Sequence, residues 1–299
     1  MTFLVLSVIG AGGAGLWAQR HWGELSVKLA ERALTGVMWT VLPVLIFLNV
    51  AHFRFTTGSS IGLLCAYVAI LCVGAVAWLL SARVLKLSRA SIGSVVCCSM
   101  VGNTGYVGVP LIVVLLGSQA LPPATAWDAI VSSPVAFLPV FAIGSSLGNH
   151  TGIADSVRRL LLRNPVLWAL ALGILAPSGF SPQSLVPVSQ AVYLALLPIS
   201  CLVLGVLLAA DGRGEAVVGA SSAVLSAVSL RMLMTPAIFV VLTLLTRSSP
   251  SAFYLQAATP CGFNALLITH VCGLDRRITT RAVAVGTAVA VTVALVASL

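Results

Sequence analysis

The sequence predicts an all-α polytopic membrane protein of ten transmembrane helices, arranged as two inverted five-helix repeats. Three observations predict it: an apolar composition, an alternation of basic junctions, and a pair of matching interruptions. Hydrophobic residues make up 59% of the 299 and charged residues only 8%, against about 45–50% and about a quarter in soluble domains. No water-soluble fold of this length hides that much apolar surface. A membrane-crossing helix needs about 20 apolar residues. The chain therefore holds about ten such helices and leaves no room for a soluble domain.

Charge clusters and Pro/Gly punctuation divide the chain into apolar segments at 2–19, 34–52, 59–82, 90–117, 124–148, 164–177, 187–209, 216–246, 251–273 and 279–298. In the first segment the leading positive charge, Arg20, follows the apolar run. A cleaved leader carries its charges ahead of that run, so a retained span is expected. The sixth segment is short, and the eighth is long enough to tilt.

The basic residues test this division. The junctions after spans one, three, five, seven and nine carry Arg20, Lys28 and Arg32; Arg83, Lys86 and Arg89; Arg158, Arg159 and Arg163; Arg213; and Arg276, Arg277 and Arg281. The opposite junctions carry only Arg54 and Arg247, while Arg231 falls inside span eight. Thirteen against two assigns the odd junctions to the cytoplasm and both termini to the outside. The net charge of +9 thus reads as membrane topology. With no basic run and no interleaved aromatics it does not read as nucleic-acid binding.

Residues at positions 65, 72, 97, 98, 201, 261 and 272 are cysteines inside apolar stretches, without C-x-x-C or C-x-x-H spacing. Neither a disulfide framework nor a metal site is expected, and no cofactor. The seven acidic residues supply no pair at a useful spacing, which argues against an intramembrane enzyme.

Five is an odd number, so two five-span halves sit in the membrane upside down to each other. The expected halves are residues 1–149 and 164–299, joined by a cytoplasmic linker at 150–163. Within it, three arginines beside a leucine run (153–163) suggest a short helix on the membrane surface. Leu42-Pro43 of span two and Leu197-Pro198 of span seven lie 155 residues apart. Span four contains Gly102-Asn103-Thr104-Gly105-Tyr106-Val107-Gly108-Val109-Pro110, and span nine contains Thr259-Pro260-Cys261-Gly262-Phe263-Asn264. Here Gly105-Tyr106 and Gly262-Phe263 are 157 apart. Glycine weakens a helix and proline removes a backbone donor. Unwound backbone cannot face lipid, so it must be buried in protein or line a cavity. Matched interruptions in two halves are the strongest sequence pointer to a binding site between them.

At these residues the sequence resembles the auxin efflux carrier family, which includes plant auxin exporters and bacterial permeases of organic acids. The resemblance rests on Gly102-Asn103-Thr104-Gly105-x-x-Gly108-x-Pro110 with Leu111 and Gly117. It continues in Arg163-Asn164-Pro165, Leu197-Pro198 with Gly205, Arg231 with Pro236, Pro260, and the stretch from Thr279 to Thr292. It implies that spans four and nine cross at the membrane centre. It also implies a secondary active transporter of small organic anions, carboxylates in particular, working by alternating access, and, from the plant members, a homodimer. Only residues 149–163 separate the halves, so the chain looks like a compact bacterial-type member. A bacterial inner membrane, and a substrate other than auxin, are expected. The alternative is a passive channel or a non-transporting receptor on the same fold.

The candidate substrate contacts are Asn103, Thr104, Gly105 and Pro110 at the first interruption and Pro260, Cys261, Gly262 and Asn264 at the second. An amide offers donor and acceptor at once, which suits a carboxylate flanked by half-helix N-termini. Asn103 fits the family motif; Asn264 lies four residues after Pro260. Arg231 joins them, since a charge at the membrane centre costs about 2.5–3.5 kcal/mol on insertion. It either balances an anionic substrate, braces a span, or snorkels to the cytoplasmic surface. Ser132 and Ser133, ahead of Pro134, are expected to line the cavity. Asp128 is read as a coupling carboxylate near the mouth of span five, or as the acid of a helix start at Thr125-x-x-Asp128. His270 is read as a second coupling candidate or a surface residue. The coupling ion, proton or sodium, stays open.

Overall fold

The structure, a computed structural model, describes residues 2–148, 165–176, 180, 182–211, 221–244 and 249–297. The linker at 150–163, and with it Arg158, Arg159 and Arg163, lies outside them, as do Arg213 and Arg247. The described residues are almost all helical. In chain order the helices are α1 (Thr2–Trp22), α2 (Glu24–Val50), α3 (Thr57–Val84), α4 (Arg89–Met100), α5 (Thr104–Leu116), α6 (Ser118–Leu147), α7 (Pro165–Leu175), α8 (Val186–Asp211), α9 (Ser222–Leu244), α10 (Ser251–Ala257), α11 (Phe263–Cys272) and α12 (Arg276–Ala297). Six of them, α2, α3, α6, α8, α9 and α12, include stretches long and apolar enough to cross a bilayer.

Local chemistry sets several boundaries. The Thr56 side chain accepts from Ser59 N at 3.1 Å while the Ser59 hydroxyl accepts from Thr56 N at 2.9 Å, a reciprocal cap that starts α3. Ser88 and Ser221 cap α4 and α9 in the simpler way. Gly273, in the left-handed region at φ 68°, ends α11. The predicted fifth segment starts earlier than its apolar run, at Ser118, so Thr125-x-x-Asp128 is no helix start. Asp128 lies inside α6 instead.

Three π-helical turns fall on residues singled out above: Thr104–Gly108 opens α5, Asp128–Ser132 interrupts α6, and Leu230–Met234 carries Arg231 in α9. Such turns widen the helix and expose a backbone group, and they concentrate at functional positions. In α6 the following Pro134 has no N–H to give. The Ile130 carbonyl one turn earlier accepts from the Tyr67 hydroxyl of α3, so a neighbouring helix satisfies what proline leaves open.

Packing follows an exchange pattern. Helix α1 lies along α8 and α7 lies along α2, while α3 packs on α4 and α9 on α10. In the interior, Trp127 of α6 stacks edge-on against Phe239 of α9, centroids 5.1 Å apart, and tilted against Phe253 of α10 at 5.3 Å. The outer faces are apolar too. Leu64, Leu71 and Trp78 on α3 and Leu233, Val241 and Leu244 on α9 are exposed, an arrangement that suits hydrocarbon and not water. At one end of the bundle the described basic junctions come together. Arg89 donates to Ser146 O at 2.8 Å, Ser91 donates to Asp275 Oδ2 at 3.0 Å, and Arg276 reaches Glu31 at 3.7 Å.

Candidate functional site

Helix α4 stops at Met100 and α10 at Ala257; their continuations, α5 and α11, begin at Thr104 and Phe263. The two interruptions meet. Asn103 N donates to Pro260 O at 2.7 Å and Gly262 N donates to Val101 O at 2.9 Å, closing an antiparallel bridge between Gly102 and Cys261. Backbone groups released by one broken helix are thereby paired with those released by the other, as a low-dielectric interior requires. The contact depends on glycine. A Cβ on Gly262 would sit 2.7 Å from the Gly102 carbonyl carbon and 3.1 Å from Asn103 N. One on Gly102 would run into the Arg231 guanidinium and come within 2.7 Å of Thr259 Oγ1.

Arg231 is fully buried at 0% exposure. Its Nε donates to Thr259 O at 3.0 Å, and its Nη2 donates to Gln256 O at 3.2 Å and Thr259 Oγ1 at 2.9 Å. The guanidinium thus ties down carbonyls at the frayed C-terminal end of α10, where a positive charge is also favoured by the helix dipole. Nη1 is buried without a hydrogen-bond partner. Gln256 adds a second tie, donating from Nε2 to Ala124 O at 2.9 Å and Thr104 O at 3.4 Å.

On the other side of the bridge is a narrow recess lined by Asn103, Thr104, Gly105, Asp128, Ser133 and Asn264, with Tyr106, Phe263 and apolar residues of α2, α6 and α7 completing its wall. Thr104 Oγ1 donates to Asp128 Oδ1. Asn103 is only 2% exposed, yet neither its Nδ2 nor its Oδ1 has a hydrogen-bond partner. A second, roomier cavity adjoins the first through Met38, Tyr106, Phe263 and Asn264, and runs outward past His270 to Glu31 and Arg276. Between the two, Tyr106 and Phe263 meet edge to face, centroids 5.5 Å apart.

The structure therefore brings together Asn103, Thr104, Gly105, Asn264, Ser133 and Asp128, and puts His270 in the adjoining cavity. Pro260, Cys261 and Gly262 form the bridge. Pro110 lies in α5 beyond the π-helical turn, Ser132 is buried beside Ser133, and Arg231 stands behind the bridge; these do not line the recess. Sequence reading missed Tyr106 and Phe263 as site residues, although each follows a glycine of the matched pair. Gln256 and Thr259 carried no signal, since only the fold sets them against Arg231 and Thr104.

A family model described as "Membrane transport protein" matches residues 1–146 and 149–298. The chain belongs to this family, that of the auxin efflux carriers. No individual curated protein matches the chain. Membership makes it a multi-pass membrane transport protein, and it gives the meeting of the two interruptions a functional context.

Proposed function

We propose that the chain is a secondary active transporter of small organic anions, carboxylates in particular, that binds them in the recess beside the bridge and works by alternating access. The observation that carries this reading is Asn103: a buried amide with both polar atoms unpaired, facing a cavity. Unsatisfied buried amides are costly, and a bound carboxylate accepts from Nδ2 while a hydroxyl or protonated acid donates to Oδ1. The half-helices α5 and α11 both start at the bridge, so their positive ends favour a negative ligand there.

The architecture of the proposal is ten spans in two inverted halves, 1–149 and 164–299, with a cytoplasmic linker at 150–163 and interrupted segments crossing at the membrane centre. It is supported by the exchange pattern, in which the first helix packs on the seventh predicted span and the sixth on the second. Basic junctions gathered at one end support a cytoplasmic face there, with both termini on the opposite side of a bacterial inner membrane. The adjoining cavity then opens to the cytoplasm. Arg231 we assign to bracing the second interruption, on the strength of its three hydrogen bonds.

Counterflow in proteoliposomes with a panel of labelled organic acids, wild type beside Asn103→Ala, tests this. Uptake that collapses in the variant supports the reading. Uptake indifferent to the variant moves the site elsewhere, and no uptake by folded wild type favours a receptor or channel.

A further inference from the structure

We propose that Asp128 is a proton site, and that protonating it is what admits an anion to the recess. The inference rests on the transporter reading above and deepens it. Among the described residues lining the recess, Asp128 carries the one carboxylate, and no Arg, Lys or His is present to balance it. Arg231, behind the bridge, gives Nε and Nη2 to Thr259 and Gln256, and with its Nη1 unpartnered it still does not line the recess. His270 and Arg276 lie in the outer cavity, where Arg276 pairs with Glu31.

The neighbours of Asp128 are polar and uncharged. Thr104 of α5 donates to its carboxylate, and Gly105 leaves the space in which the carboxylate sits, since a Cβ there would lie 3.1 Å from Oδ2. The titratable groups facing it are the phenols of Tyr106 on α5 and Tyr193 on α8; α2 and α7 contribute only apolar side chains, Met38, Leu42, Ile46 and Val166. Both tyrosines are neutral at physiological pH.

A substrate carboxylate beside Asn103 therefore shares a narrow recess of buried side chains with a second carboxylate. Two such groups cannot both stay ionised, and the pair holds a proton between them. The proton arrives on an Asp128 oxygen from water in the outer cavity and leaves the same way. Binding of a monocarboxylate with it is electroneutral. A proton needs one oxygen, whereas sodium needs a cage of them, and Thr104 already points its hydroxyl hydrogen into the carboxylate.

Infrared spectroscopy of the reconstituted wild type, Asp128→Asn and Asp128→Glu across mildly acidic to mildly alkaline pH tests the site without any substrate. The expected result is a protonated-carboxyl band that grows as pH falls, is lost in Asp128→Asn and is shifted in Asp128→Glu. No difference between wild type and Asp128→Asn overturns the proposal. So does a band erased when choline is exchanged for sodium at constant pH. In the same vesicles, an inward-acid gradient should raise uptake of the labelled acids several-fold for wild type and Asp128→Glu and leave the flux through Asp128→Asn indifferent to the gradient. Equal stimulation of both overturns the coupling. Absence of any flux in wild type counts against the transporter reading and, with it, the admission of an anion, while the infrared result decides the proton site by itself.

Discussion

The two interruptions do similar things to the backbone and opposite things with their side chains. At the first, around Asn103, the backbone is paired to its partner strand but the polar side chain is left free toward a cavity. At the second, around Pro260, the backbone is additionally roped by Arg231 to a helix outside the recess. On the proposed reading, the first interruption offers Asn103 to a ligand, and the second, tied back by Arg231, holds Asn264 opposite it. Preorganisation of this kind needs a stiff supporting element, because a binding amide displaced by an ångström loses its geometry.

The comparison breaks most severely at the glycines. Gly262→Ala should destabilise the protein by about 3 kcal/mol or more, the range of overpacking against backbone that cannot yield. A fall in apparent Tm, with loss of a monodisperse peak in detergent, is the measurement, and a variant as stable as wild type would mean the bridge is not held this tightly. Arg231→Met comes next. It leaves the Thr259 carbonyl without its Arg231 donor at about 1–3 kcal/mol, while the Gln256 carbonyl keeps Thr259 N and Oγ1, and lowers Tm by several degrees. Arg231→Lys should recover part of that loss, because one ammonium cannot reach all three acceptors.

Asn103→Ala sharpens the contrast from the other side. It removes no hydrogen bond, so thermal stability should stay within about 0.5 kcal/mol of wild type, while transport falls at least tenfold, the effect of about 1.4 kcal/mol of lost binding. A variant that loses stability and transport together would place Asn103 with Arg231 as a structural residue. The smallest effect belongs to the aromatic pair. A double-mutant cycle on Tyr106→Ala and Phe263→Ala should return a coupling of about 0.5–1.5 kcal/mol, read from thermal unfolding. Either single variant should also speed labelling of a cysteine placed at Asn103, by opening the way between the two cavities.

Much of this is written locally. Glycines and prolines announce where helices α4 and α10 stop, because their backbone penalties act wherever they stand. Asn103 was readable because a polar residue in an apolar segment is conspicuous. Asp128 was conspicuous too, but its surroundings were misjudged: a threonine three residues upstream imitates a helix start, and only Thr104, from another helix, shows where the carboxylate points. Tyr106 and Phe263 served to align the two interruptions and went unnoticed as the wall between the cavities.

By itself, then, the sequence determined that the chain is a helical membrane protein, where its helices are interrupted, and to which transport family it belongs. Those properties follow from hydropathy, backbone propensity and a local motif, all of which act over a few neighbouring residues. The tertiary structure alone decided that the interruptions pair with each other, that Arg231 serves the backbone of α10, and that Asn103 and Asp128 share one recess. These are contacts between segments separated by 24 to 161 residues. Packing geometry chooses such partners, and no local signal records the choice.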